Sequence, residues 1–275
     1  MSKTLFISDL DGTLLGKNAE LSEESARMLN EAYKKGLNFA VATARTAATV
    51  DSIMKSAAPT VPSVMQNGVS VYDIREKKYI KTETIAENAA LSVIKMLEES
   101  GACPFIYTGE NGMKTYYTEL KNQAMKEFVD DRIKKFGKEF TRTEIPEALA
   151  AGGITYFAVM DCEHTVMTAV EKIKNTNGIN FTYYKDIYDE KNWYLEIFAD
   201  TASKKHGVEF LRSEYGFEKI VCFGDNLNDL AMFDAADVKI AVENANEKVK
   251  AAADTVIGKN TEDSVARYIL ENMEN

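Results

Sequence analysis

Apolar residues fall into short runs that alternate with amphipathic stretches at both ends of the chain. Thr4–Leu10 (TLFISDL) is rich in strand formers and stops at an Asp-Gly pair, which predicts a buried strand. Ala26, Leu29, Ala32 and Tyr33 then recur at helical spacing. Ser22 is placed to cap that helix, Leu21 to staple it, Glu23 and Glu24 to favour its positive end, and Gly36 to stop it. Leu37–Thr43 reads as a second buried strand, Ala47–Ser56 as a helix and Val61–Gln66 as a third strand. The far end shows the same alternation. A strand at Lys219–Phe223 leads to a helix from Asn228, a strand at Val238–Val242 and a helix over Glu247–Ala253, then a short strand at Thr255–Ile257 and a last helix from Thr261. This βα order predicts an α/β fold with a parallel sheet and helices on both faces.

The middle has another texture. Between Thr84 and Glu190 the pattern predicts a helix at Glu87–Ser100, a hairpin through Pro104–Tyr117 turning at Gly109–Gly112, and a charged helix at Leu120–Phe136. A strand at Ile154–Met160, a helix at Thr165–Asn175 and aromatic strands around Phe181–Tyr184 follow, and Trp193–Phe198 is expected to return the chain to the core. The simplest reading is an α+β module, residues 84–190, inserted into a core made of residues 1–83 and 191–275.

Composition narrows the function. With 275 residues, 45% hydrophobic and 28% charged, the chain is an ordinary globular protein with room for two cores. Its net charge of −10, from 43 acidic against 33 basic residues, argues against a nucleic-acid partner, whose backbone is held largely by Lys and Arg. No apolar run approaches the ~20 residues that span a bilayer, and MSKTLFISDL meets acids too soon for a secretory signal. Cys103, Cys162 and Cys222 form no framework and suit free thiols in a reducing cytoplasm. His164 and His206 lack zinc-like spacing. No protein partner is implied.

The chemistry-bearing residues sit where the strands end. Asp9-Leu10-Asp11-Gly12-Thr13 follows the first strand, at the edge where open α/β sheets bind ligands. One carboxylate can attack phosphorus and the other can exchange protons with the leaving oxygen, with a Mg²⁺ ion bridging them and neutralising the phosphate. The plainer reading is a turn, since Asp-Gly is common in turns. Gly224-Asp225-Asn226-Leu227-Asn228-Asp229 also follows an apolar strand. Asp225 can complete an oxygen-rich metal site, Asn228 can bond a phosphate oxygen, and Asp229 can hold a metal-bound water or orient a neighbour. The plainer reading here is an Asx-capped helix start. Thr43 can offer its hydroxyl beside the N–H of Ala44 at a helix start, and Lys204 can neutralise a phosphoryl group.

Taken in order, DLDGTL at 9–14, Thr43 in VATAR, Ser203-Lys204 after LEIFADTA and GDNLNDLAMF at 224–233 resemble the four motifs of the haloacid dehalogenase-like hydrolases, and most of all the Cof-type phosphatases. The Gln66-Asn67-Gly68 turn and AVENANEKVKAAAD at 241–254 add to that likeness. Two departures stand out: Thr43-Ala44-Arg45 where Thr-Gly-Arg is usual, and Ser264-Val265 where Gly-Val is usual.

The resemblance implies a Rossmann-like core with a large inserted cap that selects the leaving group. It implies Asp9 as nucleophile, through an aspartyl-phosphate, and Asp11 as general acid/base. Mg²⁺ would be held by Asp9, the backbone carbonyl of Asp11 and Asp225, with support from Asn226 or Asp229. Phosphate would be held by the N–H of Leu10, Thr43, the N–H of Ala44, Lys204 and Asn228. The expected activity is hydrolysis of small phosphorylated metabolites, such as sugar phosphates or phosphorylated cofactors. A phosphotransferase or phosphomutase on sugars, and a non-enzymatic binder of a phosphorylated ligand, remain as alternatives. The insert is rich in tyrosine (Tyr107, Tyr116, Tyr117, Tyr156, Tyr183, Tyr184, Tyr188), best read as sheet residues with rings packed on its own helices.

Overall fold

The computed structural model describes residues 3–109, 113–186 and 191–273. The chain divides into two units, Met1–Lys81 with Ser203–Asn275, and Thr82–Ala202.

The first unit is built on a five-stranded parallel sheet in the order Thr255–Ile257, Val238–Val242, Lys219–Gly224, Thr4–Ser8, Asn38–Val41. A parallel bridge between Ala42 and Val64 extends it to Ser63–Met65, which pairs antiparallel with Ser70–Asp73. Thr4–Ser8 is apolar without alternation because both of its faces are covered: Leu5, Phe6 and Ile7 are all buried. Ser22 caps the helix Glu23–Lys34, its hydroxyl accepting the Ser25 N–H at 2.9 Å, and that helix packs against Ser264–Asn272.

Strand order explains where a site forms. Thr4–Ser8 is central, with Asn38–Val41 on one side and Lys219–Gly224 on the other. The crossover from Thr4–Ser8 runs to Asn38–Val41 on one side and that from Lys219–Gly224 to Val238–Val242 on the other, so a crevice opens at the carboxyl ends of Thr4–Ser8 and Lys219–Gly224. The next residues, Asp9 and Asp225, both emerge there.

The second unit carries a six-stranded sheet in the order Ile179–Lys185, Trp193–Ala199, Ile154–Asp161, Phe105–Thr108, Lys114–Tyr117, Phe140–Arg142. All of its pairs are antiparallel except the last. Its helices are Glu87–Glu99, Gln123–Phe136 and Glu163–Ile173. Phe105 meets Phe128 of the middle helix, ring centroids 5.2 Å apart, and the edge of Phe140 at 5.7 Å.

One expectation is corrected. Trp193–Phe198 does not return the chain to the core: Trp193–Ala199 is an interior strand of the inserted sheet, with Leu195 opposite both Val159 and Tyr183. The second unit therefore ends at Ala202, not at 190, and it begins at Thr82. Phe140–Arg142 is a strand that the pattern did not predict, three residues with only Phe140 turned inward. Of the tyrosines, Tyr107 and Tyr156 are buried and meet edge to face, while Tyr183 and Tyr184 lie on the surface. Tyr188 and most of the turn expected at 109–112 lie outside the described residues.

Candidate active site

Asp9 is the first residue past its strand, and its N–H still donates to Phe223 O at 3.0 Å, so the ladder fixes its place beside Lys219–Gly224. The chain then turns sharply. Gly12 has φ +80°, and a Cβ there would lie 2.4 Å from Asp225 Oδ2, so only glycine lets this turn come so close to the opposite carboxylate. Thr13 follows, and its hydroxyl donates to Asp225 Oδ1 at 2.8 Å. Asn244 holds the same turn from outside, its Nδ2 donating to Gly12 O at 2.7 Å.

Lys204 opens the helix Lys204–Tyr215, capped by the Ser203 hydroxyl, and its side chain is almost wholly buried. Its ammonium donates to Asp9 Oδ1 at 2.6 Å and to Asp229 Oδ1 at 2.7 Å. Asp229 is buried and fully bonded, since its Oδ2 also accepts the N–H groups of Asp225 (2.9 Å) and Asn226 (3.1 Å). The Asx cap read as the plainer alternative is thus present: Asn226 Oδ1 accepts the Leu227 N–H at 2.8 Å. Asp229 serves the turn and the lysine together.

Asp9, Asp225 and Asp229 each offer a carboxylate oxygen within 4.8 Å of the others. Three carboxylates face one ammonium. Burial pushes Asp9 up to about 7, with Asp229 and Asp225 adding to the effect and Lys204 opposing it. Asp225 is pushed up to about 6, again chiefly by burial. Burial works against the Lys204 charge, but Asp9 and Asp229 outweigh it and raise its pKa. The donor set fits a hard cation: it is all oxygen, it has an excess of two negative charges, and Asp9 Oδ2 and Asp225 Oδ2 accept no hydrogen bond among the described residues.

The other expected residues are placed less centrally. Asp11 stands outside that group and is held by Arg45, with Nε on Oδ2 and Nη2 on Oδ1, both at 2.6 Å. Thr43 is buried at the end of its strand, and its hydroxyl oxygen accepts the Arg45 N–H at 3.2 Å. Ala44 is exposed, just ahead of the helix Ala47–Ile53. The Leu10 side chain is buried in the core. Asn228 is exposed and donates from Nδ2 to Asn67 Oδ1 at 3.3 Å. Arg45, Thr13 and Asn244 were not singled out in the sequence for these contacts. All three lie inside segments quoted above, DLDGTL, VATAR and AVENANEKVKAAAD, the one signal available for them.

A family model described as haloacid dehalogenase-like hydrolase matches residues 6–269. Pyridoxal phosphate phosphatase YbhA of Escherichia coli is 25% identical over 281 residues, covering 99% of this chain and 100% of its own. Phosphatase YwpJ of Bacillus subtilis is 26% identical over 288 residues, covering 96% and 98%. A crystal structure of a Thermotoga maritima protein superposes with a TM-score of 0.78 at 28% identity, covering 98% of this chain and 97% of that one.

Proposed function

The chain belongs to the haloacid dehalogenase-like hydrolases, as a Cof-type phosphatase, and from that premise we propose that it hydrolyses small phosphate monoesters with Asp9 as nucleophile and Mg²⁺ as cofactor. The observation that carries this reading is the convergence of Asp9, Asp225 and Asp229 on one point, with Lys204 bonded to two of them.

Each residue has work that follows from its contacts. Lys204 occupies Asp9 Oδ1 and leaves Oδ2 as the attacking oxygen. That oxygen forms a bond to phosphorus as the ester P–O bond breaks, and the departing alkoxide takes a proton from the Asp11 carboxyl. Asp11, now ionised, accepts a proton from water as its oxygen attacks the same phosphorus; orthophosphate leaves and Asp9 is restored. The N–H groups of Leu10 and Ala44, the Thr43 hydroxyl, Lys204 and Asn228 would hold the phosphoryl oxygens, donors fixed in place before charge develops. Mg²⁺ would be held by Asp9, the Asp11 carbonyl and Asp225, with Asp229 or Asn226 in support, and supplies the charge that lets an anionic carboxylate approach phosphate.

The Escherichia coli relative, a pyridoxal phosphate phosphatase, supports small phosphorylated metabolites such as phosphorylated cofactors as substrates, and sugar phosphates are the other class proposed. The unit Thr82–Ala202 would select among their leaving groups. The free thiols, one buried, one half-buried and one exposed, suit the cytoplasm. The test is a panel of phosphate esters assayed for released orthophosphate with Mg²⁺ and with chelator. Metal-dependent release is expected. Isomerised ester with little free phosphate, or binding without turnover across the panel, would contradict hydrolysis.

A further inference from the structure

The turn Gln66-Asn67-Gly68 takes no part in the chemistry above, yet it touches three of the segments that do. Its backbone is unusual: Gln66, Asn67 and Gly68 have φ of +49°, +55° and +107°, three successive left-handed residues. Strain of this kind persists only where the surroundings hold it. Here they do. The Gln66 N–H donates to Arg45 O at 3.1 Å and the Asn67 N–H to Thr43 O at 2.9 Å, which ties the turn to the phosphate-binding strand end. A Cβ on Gly68 would lie 2.1 Å from Ser203 O, so the turn sits directly on the cap of the helix that Lys204 opens. The Asn67 side chain then reaches across 161 residues of sequence to accept from Asn228 Nδ2 at 3.3 Å.

We propose that Asn67 is a positioning residue for phosphate binding, acting through Asn228. The amide of Asn228 is exposed and would otherwise rotate freely. With one of its N–H groups held by Asn67 Oδ1, the amide loses rotational freedom and the second N–H is the one left to meet a phosphoryl oxygen. The backbone of the same residue anchors Thr43, so one side chain and one peptide unit register two of the phosphate donors against each other. This inference rests on the hydrolase reading, since it assigns Asn228 to the phosphate.

Asn67→Gly is the informative variant, because glycine accepts the left-handed backbone and only the amide is removed. The probes are p-nitrophenyl phosphate as substrate and inorganic phosphate as competitive inhibitor, measured at saturating Mg²⁺ in the wild type, Asn67→Gly, Asn228→Ala and the double variant. Loss of one hydrogen bond predicts about a five- to tenfold rise in KM and in the phosphate inhibition constant for Asn67→Gly, with a smaller change in kcat. The decisive expectation is non-additivity: in the Asn228→Ala background, Asn67→Gly should add little. Unchanged constants in Asn67→Gly, or effects that multiply fully in the double variant, would overturn the positioning role while leaving the hydrolase reading intact. A wild type that releases no phosphate from any ester would overturn that reading and this inference with it.

Discussion

Lys204 and Asp229 form an ion pair at 2.7 Å from which solvent is excluded on both sides. A buried pair of this kind contributes little net stability over an apolar substitute, but removing one partner strands the other charge in a low-dielectric interior. Lys204 is shared with Asp9, so its loss strands two. Lys204→Ala is expected to lower unfolding stability by about 3–5 kcal/mol in urea titration. Lys204→Arg should recover only part of it, because a planar fork does not fit a pocket shaped around a point charge.

Arg45 grips Asp11 with two parallel hydrogen bonds of 2.6 Å, and Asp11 is half exposed. The pair orients the carboxyl assigned to the leaving oxygen. Arg45→Lys keeps the charge and loses the fork, and Arg45→Ala loses both. Falls in kcat of about tenfold and a hundredfold are expected, the kcat change exceeding any change in KM in each case, on the scale of general acid–base contributions. Steady-state kinetics on a single ester checks this.

Burial of the site carboxylates gives a pH signature in the metal-free protein. Native Asp9 keeps its proton to about 7 because it is buried, whereas its ordinary value is 3.8. Between those values the native state binds the extra proton, so stability falls as pH rises through that window and levels off above it. Asp225, raised to about 6, acts in the same direction. Urea midpoints in chelator, from pH 4 to 8, should therefore fall more for wild type than for Asp9→Asn. Saturating Mg²⁺ should flatten the wild-type slope by binding the ionised native state.

Much of this arrangement was legible because local sequence carries it. Apolar runs mark the two strands, although the first was expected to run to Leu10 and ends at Ser8, so that Asp9 already lies past it, and parallel strand order makes such ends meet. Ser22 capped its helix where its side chain predicted. What escaped depended on distant partners. Trp193–Ala199 has the apolar character of a core strand, and only its register against Ile154–Asp161 and Ile179–Lys185 shows which sheet it joins. Likewise Thr13 on Asp225 and Asn244 on Gly12 close over 212 and 232 residues, separations at which a polar residue gives no sign of its partner.

Hydrolysis through a covalent intermediate requires a carboxylate oxygen of Asp9 to attack phosphorus. Asp9→Asn keeps the size of the side chain and an acceptor for Lys204 while removing the carboxylate proposed as nucleophile. With the fold confirmed by circular dichroism and Mg²⁺ saturating, orthophosphate release from an ester that the wild type hydrolyses is predicted to fall by a factor of roughly 10³ or more. Turnover by Asp9→Asn equal to that of the wild type would contradict it.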